Sequence, residues 1–306
     1  MFKTHSLYAI LGALFALYVV WSSTYLAIRY AIETMPPFIM AAARFLIAGG
    51  ILFAWRRLSG DPMPRRRHWS SAAVVGICLL MGGNGGVVWA EQRIASGIAA
   101  LLVGATPLWI VMLEMLHRGG RKPGRVAIAG VVVGFAGVAI LANPAVSAGE
   151  RLDPLGVAAL LFASLMWAIG SLYSRNAELP ESPLLGTAME MLVGGTGLLV
   201  MGSLAGEWQH FDLMAVSLKS AAGLGYLVVF GSLVGFASYT WLLRVAPTIL
   251  VSTYAYVNPL IAVLLGYSLA QEPLNGRIVV SALVIVSSVA LITFTQARER
   301  MKWRKA

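Results

Sequence analysis

The sequence predicts an all-α membrane protein of ten transmembrane helices, arranged as two inverted five-helix repeats. Three observations carry that expectation. Of 306 residues, 58% are hydrophobic and only 12% charged, with a mean hydropathy of +0.78; soluble domains carry about a quarter charged residues. The apolar residues gather into ten runs, each of a length that crosses a bilayer as a helix. The chain also repeats itself. At an offset of 146, Trp21 falls on Trp167, Arg29 on Arg175, Pro37 on Pro183 and Gly49 on Gly195. At 152, Trp89 falls on Trp241, Pro107 on Pro259, and Gly124-Arg125 on Gly276-Arg277. Residues 1–145 form the first copy and 146–306 the second, together one membrane domain. Each copy has an odd number of spans, so the second enters the membrane from the side opposite to the first.

The spans follow from their ends. The first, 6–29, closes at Arg29 and is followed by another span in place of a small-residue cleavage site, which argues against a removed signal peptide. The second, 37–55, starts at Pro36-Pro37 and stops at Arg56-Arg57. The third, 70–90, rises out of Arg65-Arg66-Arg67, and the fourth, 95–116, opens at Ser96-Gly97 and carries Thr106-Pro107. The fifth, 124–142, runs from Gly124-Arg125 to Asn143-Pro144. The second copy repeats the scheme at 155–174, 184–205, 219–242, 249–269 and 276–296, the ninth carrying Asn258-Pro259. Only the segments 56–69 and 206–218 exceed a dozen residues between spans, too little for an extramembrane domain.

The net charge of +10 is a topology signal. With both termini in the cytoplasm, 17 of the 23 basic residues lie inside, among them Arg56, Arg57, Arg65, Arg66, Arg67, Arg118, Arg121, Lys122, Arg125 and the tail. Five lie outside (Arg29, Arg93, Arg151, Lys219 and Arg277) and Arg44 lies within a span. That bias obeys the positive-inside rule and favours contact with anionic lipid, not nucleic acid.

Motifs for chemistry are scarce. His5, His68, His117 and His210 sit outside spans or at their ends without metal-ligand spacing, and the single cysteine, Cys78, excludes a disulfide framework. Gly82-Gly83-Asn84-Gly85-Gly86 lies in an apolar helix with no preceding strand, so it is not a phosphate loop. The sequence calls for no metal, no cofactor and no catalytic residue. Two polar stripes stand out. Tyr18, Ser22, Tyr25 and Arg29 share a helical face bordered by Trp21, and Ser164, Ser171 and Arg175 share the matching face bordered by Trp167. Such a stripe lines a solute path or bonds helix to helix. Asn84 and Asn258 offer amide donors and acceptors, and Tyr254 stands one turn before Asn258. Thr106-Pro107 and Asn258-Pro259 mark kinks that free a carbonyl near mid-membrane, by a solute or simply as bends. Trp89, Trp109 and Tyr239 are further aromatic candidates, whereas Trp55, Trp69 and Trp303 suit an interfacial belt. Arg44 and Glu190 are repeat mates of opposite charge, candidates for a charge site or gate. Arg44 attracts a carboxylate or pairs with Glu33 or Glu91. No acid is evidently central, which leans toward movement down a gradient, with Glu190 the residue to test for proton coupling.

Trp21-Ser22-Ser23-Thr24-Tyr25, then Pro36-Pro37 and Arg44-Phe45, Ser96-Gly97-Ile98-Ala99-Ala100 with Pro107, and Ser252-Thr253-Tyr254-Ala255-Tyr256-Val257-Asn258-Pro259 resemble the drug/metabolite transporter superfamily, and within it the EamA-type ten-helix exporters. The resemblance covers essentially the whole chain. It implies a basket-like bundle whose central cavity is lined by helices one, three, four, six, eight and nine, with five and ten peripheral. It also implies export of amino acids, including aromatic ones, or related metabolites across a bacterial inner membrane. The expected partners are a small-molecule solute and the lipid bilayer, with no nucleic acid and no obligatory protein partner. A drug or organic-cation exporter is the alternative; a membrane enzyme or sensor lacks its nucleophile–base pair, metal ligands or output domain here.

Overall fold

Proline and glycine set the helix boundaries of this chain. The computed structural model describes residues 7–116, 124–142, 152–246, 248–251 and 253–303, and these are helical with short connections and no strand. His5, His117, Arg118, Arg121, Lys122, Arg151 and Ser252 lie outside the described residues, as does the side chain of Trp303. We number the helices α1 Leu7–Ala31, α2 Pro37–Leu58, α3 Arg66–Ala90, α4 Ser96–Leu116, α5 Arg125–Ala142, α6 Pro154–Ser174 and α7 Pro183–Leu204. Next come α8, from Leu218 to Val245, α9 Tyr254–Ala270 and α10 Gly276–Trp303. Nine of them are long and apolar enough to cross a membrane among the described residues. The exception is α9, apolar but of 17 residues, because the expected span 249–269 is split into a short helix Thr248–Val251 and α9 itself.

The repeat mates Pro37 and Pro183 open α2 and α7 in the first turn, where a missing N–H costs nothing. These helices pack along each other, and the mates Gly49 and Gly195 permit it. A Cβ on Gly49 would lie 2.9 Å from the Met191 Cβ, and one on Gly195 would lie 3.0 Å from Leu46 Cγ. Small residues at the crossing let the backbones approach, which is how helices associate when lipid removes the hydrophobic drive. α5 packs along α10 at the periphery. Large apolar side chains such as Phe15, Ile51, Val132, Leu264 and Leu283 are exposed around the bundle, as a lipid-facing surface requires.

The inversion shows in the loops. Glu207, after α7, accepts hydrogen bonds from Phe38 N (3.1 Å) and Ile39 N (2.8 Å) at the start of α2. Its repeat mate Asp61, after α2, is held by Arg56 Nη2 and Nε at 2.7 and 2.9 Å. Arg56 and then the Ser182 hydroxyl, at the start of α7, keep the Asp61 carboxyl below its ordinary range. Each loop carboxylate thus reaches the N-terminus of the other repeat's second helix. Glu207 does so on the face carrying residues 30–36, which we call the far face. Asp61 does so on the near face.

Candidate functional site

Four interrupted helices shape the bundle centre. In α4 the helix breaks at Gly104-Ala105 and restarts at Thr106. Pro107 has no N–H for the Val103 carbonyl, and the Thr106 hydroxyl supplies the donor at 2.6 Å. In α9, Pro259 lies inside the helix and withholds the donor that would serve Ala255. The two irregularities meet, since a Cβ on Gly104 would stand 2.7 Å from Pro259 Cγ. α3 and α8 each contain an eight-residue π-helical stretch, Ile77–Asn84 and Leu227–Val234, within two residues of matching repeat positions. A π-turn widens the helix and re-aims the side chains after it, and such turns gather at functional sites.

Between these elements lies a cavity of about 180 Å³. Of the residues singled out from sequence, Trp21, Tyr25, Asn84, Thr106, Trp167, Ser171, Tyr254 and Asn258 line it, together with Arg44. The lining comes from α1, α3, α4, α6, α8 and α9, with Arg44 adding α2; none comes from α5 or α10. Trp21 anchors an aromatic wall, its ring 5.1 Å from that of Tyr254 and 5.6 Å from that of Phe236. Its seat depends on Gly235, where a Cβ would fall 2.4 Å from Trp21 Nε1. The mate Trp167 sits on Gly83 in the same way, at 2.9 Å. Arg44 is buried, and its Nε donates to Ser232 Oγ at 3.0 Å within the second π-stretch. Asn258 Oδ1 is buried without a hydrogen-bond partner. Asn84 Nδ2 donates to the Leu79 carbonyl at 3.3 Å.

The remaining candidates sit off the cavity. Tyr18 bonds Thr253, and Ser22 donates to the Tyr18 carbonyl. Tyr239 stacks behind Trp21 at 5.2 Å. Trp109 donates to Ser164 at 2.9 Å and packs on Phe135, and Trp89 lies under Arg93 at 4.1 Å. Glu190 belongs to the α7 face against α3, where Gly76 leaves room for its carbonyl; a Cβ there would come within 2.5 Å. Glu33, a sequence-level partner for Arg44, pairs with Lys219 at 2.6 Å instead. Sequence reasoning missed Thr24, Ile28 and Phe236 in the lining, and it missed the burial of Glu91, which is 0% exposed with neither carboxylate oxygen hydrogen-bonded. The signal for Glu91 was its place directly after Ala90, which reads as an interface.

A bundle of membrane-spanning helices, duplicated with inverted entry and hollow where its helices break, is the construction of a solute carrier. Comparison with known proteins agrees. The EamA-like transporter family matches residues 7–143 and again 154–294, and the chain belongs to that family. It is 39% identical over 293 residues to the uncharacterized inner membrane transporter YedA of Escherichia coli (strain K12), covering 95% of this chain and 92% of YedA. It is 27% identical over 289 residues to Protein PecM of Dickeya dadantii (strain 3937), covering 91% of this chain and 93% of PecM. A solved crystal structure matches 94% of this chain and 98% of its own with a TM-score of 0.63 at 20% identity, which speaks to fold alone.

Proposed function

We propose that this transporter exports amino acids, including single-ring aromatic ones, or closely related metabolites across a bacterial inner membrane. Both termini are cytoplasmic and the two halves alternate access to the cavity. The observation that carries the reading is the lining itself: a buried guanidinium at Arg44, a buried amide oxygen without a partner at Asn258, and aromatic walls at Trp21, Trp167 and Tyr254. A zwitterion matches these groups, its carboxylate on Arg44, its ammonium donating to Asn258 Oδ1 and its side chain on the aromatic faces. A cavity of about 150 Å³ holds benzene, so 180 Å³ suits a single ring. Among the described residues no acid lines the cavity, which disfavours the organic-cation alternative. Inner-membrane placement follows YedA by similarity, and the orientation follows the charge bias.

The test is uptake of labelled amino acids by proteoliposomes against empty liposomes. Saturable phenylalanine uptake is expected in the native protein, with Trp167→Ala and Asn258→Ala each losing roughly tenfold or more. Glu190→Gln, off the cavity, is expected to leave rate and pH dependence unchanged. No saturable uptake of any amino acid sinks the substrate class and turns attention to other metabolites.

A further inference from the structure

Glu91 follows the last residue of α3 and is wholly buried with both carboxylate oxygens unbonded. The charged and titratable groups around it come from three other elements. From α1, Arg29 gives Nη1 to the Glu91 backbone carbonyl at 2.6 Å, leaving the carboxylate unbonded, and Tyr25 lies within electrostatic reach. From α2, Arg44 lies within the same reach while its Nε serves Ser232. From the turn after α9, Glu272 faces it, with oxygens already filled by Ser96 N, Ser96 Oγ and Gly97 N at 2.7, 2.7 and 2.9 Å. Burial raises the Glu91 carboxyl well above its ordinary range and Glu272 adds to this, while Arg29 and Arg44 oppose it. A buried acid without hydrogen bonds is costly to ionise unless a nearby cation supports it, and Arg44 is also the cation that lines the cavity.

We propose that Glu91 binds a proton together with the solute carboxylate at Arg44, so that solute and proton cross as a pair. The inference rests on the amino-acid reading of the cavity. At pH values where Glu91 is ionised in the empty carrier, its charge offsets that of Arg44. A solute carboxylate on Arg44 adds a second negative charge near Glu91 and takes up support that Arg44 gave it, while Arg29 stays on the Glu91 backbone carbonyl. Glu91 then takes a proton from hydronium, one O–H bond breaking there to leave water as one forms on the carboxylate, and nothing is oxidised or reduced. The linkage sign follows. Solute affinity is highest at pH values where Glu91 is protonated even in the empty carrier. It falls as pH rises through the range between the empty and loaded midpoints, and proton uptake on binding peaks within that range. Export then runs while the outward solute gradient exceeds the inward proton gradient.

The experiment uses the purified full-length protein in weakly buffered solution with a pH indicator, scanned from acid to alkaline pH, while intrinsic fluorescence reports binding. L-Phenylalanine is expected to draw up to about one proton per bound solute, and phenethylamine, which lacks the carboxylate, to draw none. Glu91→Gln is expected to bind phenylalanine with an affinity independent of pH and with no proton uptake. Phenylalanine binding without proton uptake at any pH overturns this inference and leaves the amino-acid reading standing. Uptake that persists in Glu91→Gln overturns the residue assigned. Binding of no amino acid overturns the reading and the inference together. Should Glu91→Gln fail to fold, the native protein's contrast between phenylalanine and phenethylamine decides the matter.

Discussion

Arg44→Gln is expected to weaken phenylalanine binding on the order of a hundredfold and to reduce uptake in the same proportion. Arg44 is 5% exposed, and Ser232 fixes the orientation of its fork through Nε. A carboxylate docked on that fork gains charge-assisted hydrogen bonds in a site with little water. Truncating one partner of such a pair typically costs about 2–5 kcal/mol, and 3 kcal/mol is roughly 150-fold. Arg44→Lys keeps the charge but not the planar two-donor geometry, so an intermediate loss of about tenfold is expected. Isothermal titration of the three proteins, with thermal unfolding as the control for fold, makes the comparison. Equal affinities in native and Gln forms would place the solute carboxylate elsewhere in the cavity.

Removing Glu272 is expected to open the far face. The turn after α9 passes through Gln271, which adopts a left-handed conformation with φ of 54°. That conformation costs a non-glycine residue about 1 kcal/mol. It swings Glu272 back over Gly266, where a Cβ would come within 2.2 Å of the carboxylate. From there the carboxylate accepts the Ser96 hydroxyl and two backbone N–H groups at the start of α4. Glu272→Ala leaves those donors without their acceptor. Individual bonds to a charged group contribute about 1.5–3 kcal/mol. A total near 3 kcal/mol shifts a closed-to-open equilibrium by roughly 150-fold. The far-face ion pairs are weaker: Lys219–Glu33 is solvent-exposed at 2.6 Å, and the Arg93–Asp153 pair is half-buried at 3.1 Å. The measurement is labelling of Val87→Cys, in the cavity lining, in a Cys78→Ser background by a membrane-impermeant maleimide added at the far face. Labelling is expected to accelerate strongly with Glu272→Ala added and to return toward the native rate with excess phenylalanine if the solute closes the carrier. An unchanged labelling rate would show that the Glu272 contact does not hold the gate.

Much of the fold was legible because lipid imposes a simple rule: backbone groups must be paired within each segment, so apolar length alone marks a helix. Proline at 37 and 183 then marks where helices start. The exception is instructive. The ninth span read as one continuous run, since hydropathy does not register the split between Val251 and Tyr254. The π-stretches were equally invisible, because their apolar residues read like any helical run. The cavity was partly legible. Trp21, Trp167, Tyr254 and Asn258 were singled out by repeat position and helical face, and all four line it. Tyr18, Ser22 and Trp109 satisfy the same face or depth arguments, yet their polar atoms bond protein neighbours away from the lining. A helical face states that a side chain points inward; which neighbour it meets depends on the partner helix. Glu91 was named as an outer-face partner for Arg44, but its burial escaped, as did Glu272 altogether, because acids at span ends resemble ordinary interfacial residues until the packing above them is known.

The tryptophan–glycine seats have a consequence of their own. Trp21 of the first copy rests on Gly235 of the second, and Trp167 of the second rests on Gly83 of the first. Residue i meets j and j meets i, the reciprocity of an isologous contact between two identical subunits. The chain thus has the geometry of a tethered homodimer whose two-fold axis lies in the membrane plane, and a homodimer of that kind is blind to direction. What distinguishes one end from the other must lie where the mates differ. Arg44, in the cavity wall, answers to Glu190, outside it, and the clasp Glu272 answers, at the 152 offset, to Gly120, which has no carboxylate. Exchanging side chains at those positions alone is the way to ask whether the carrier can be turned around.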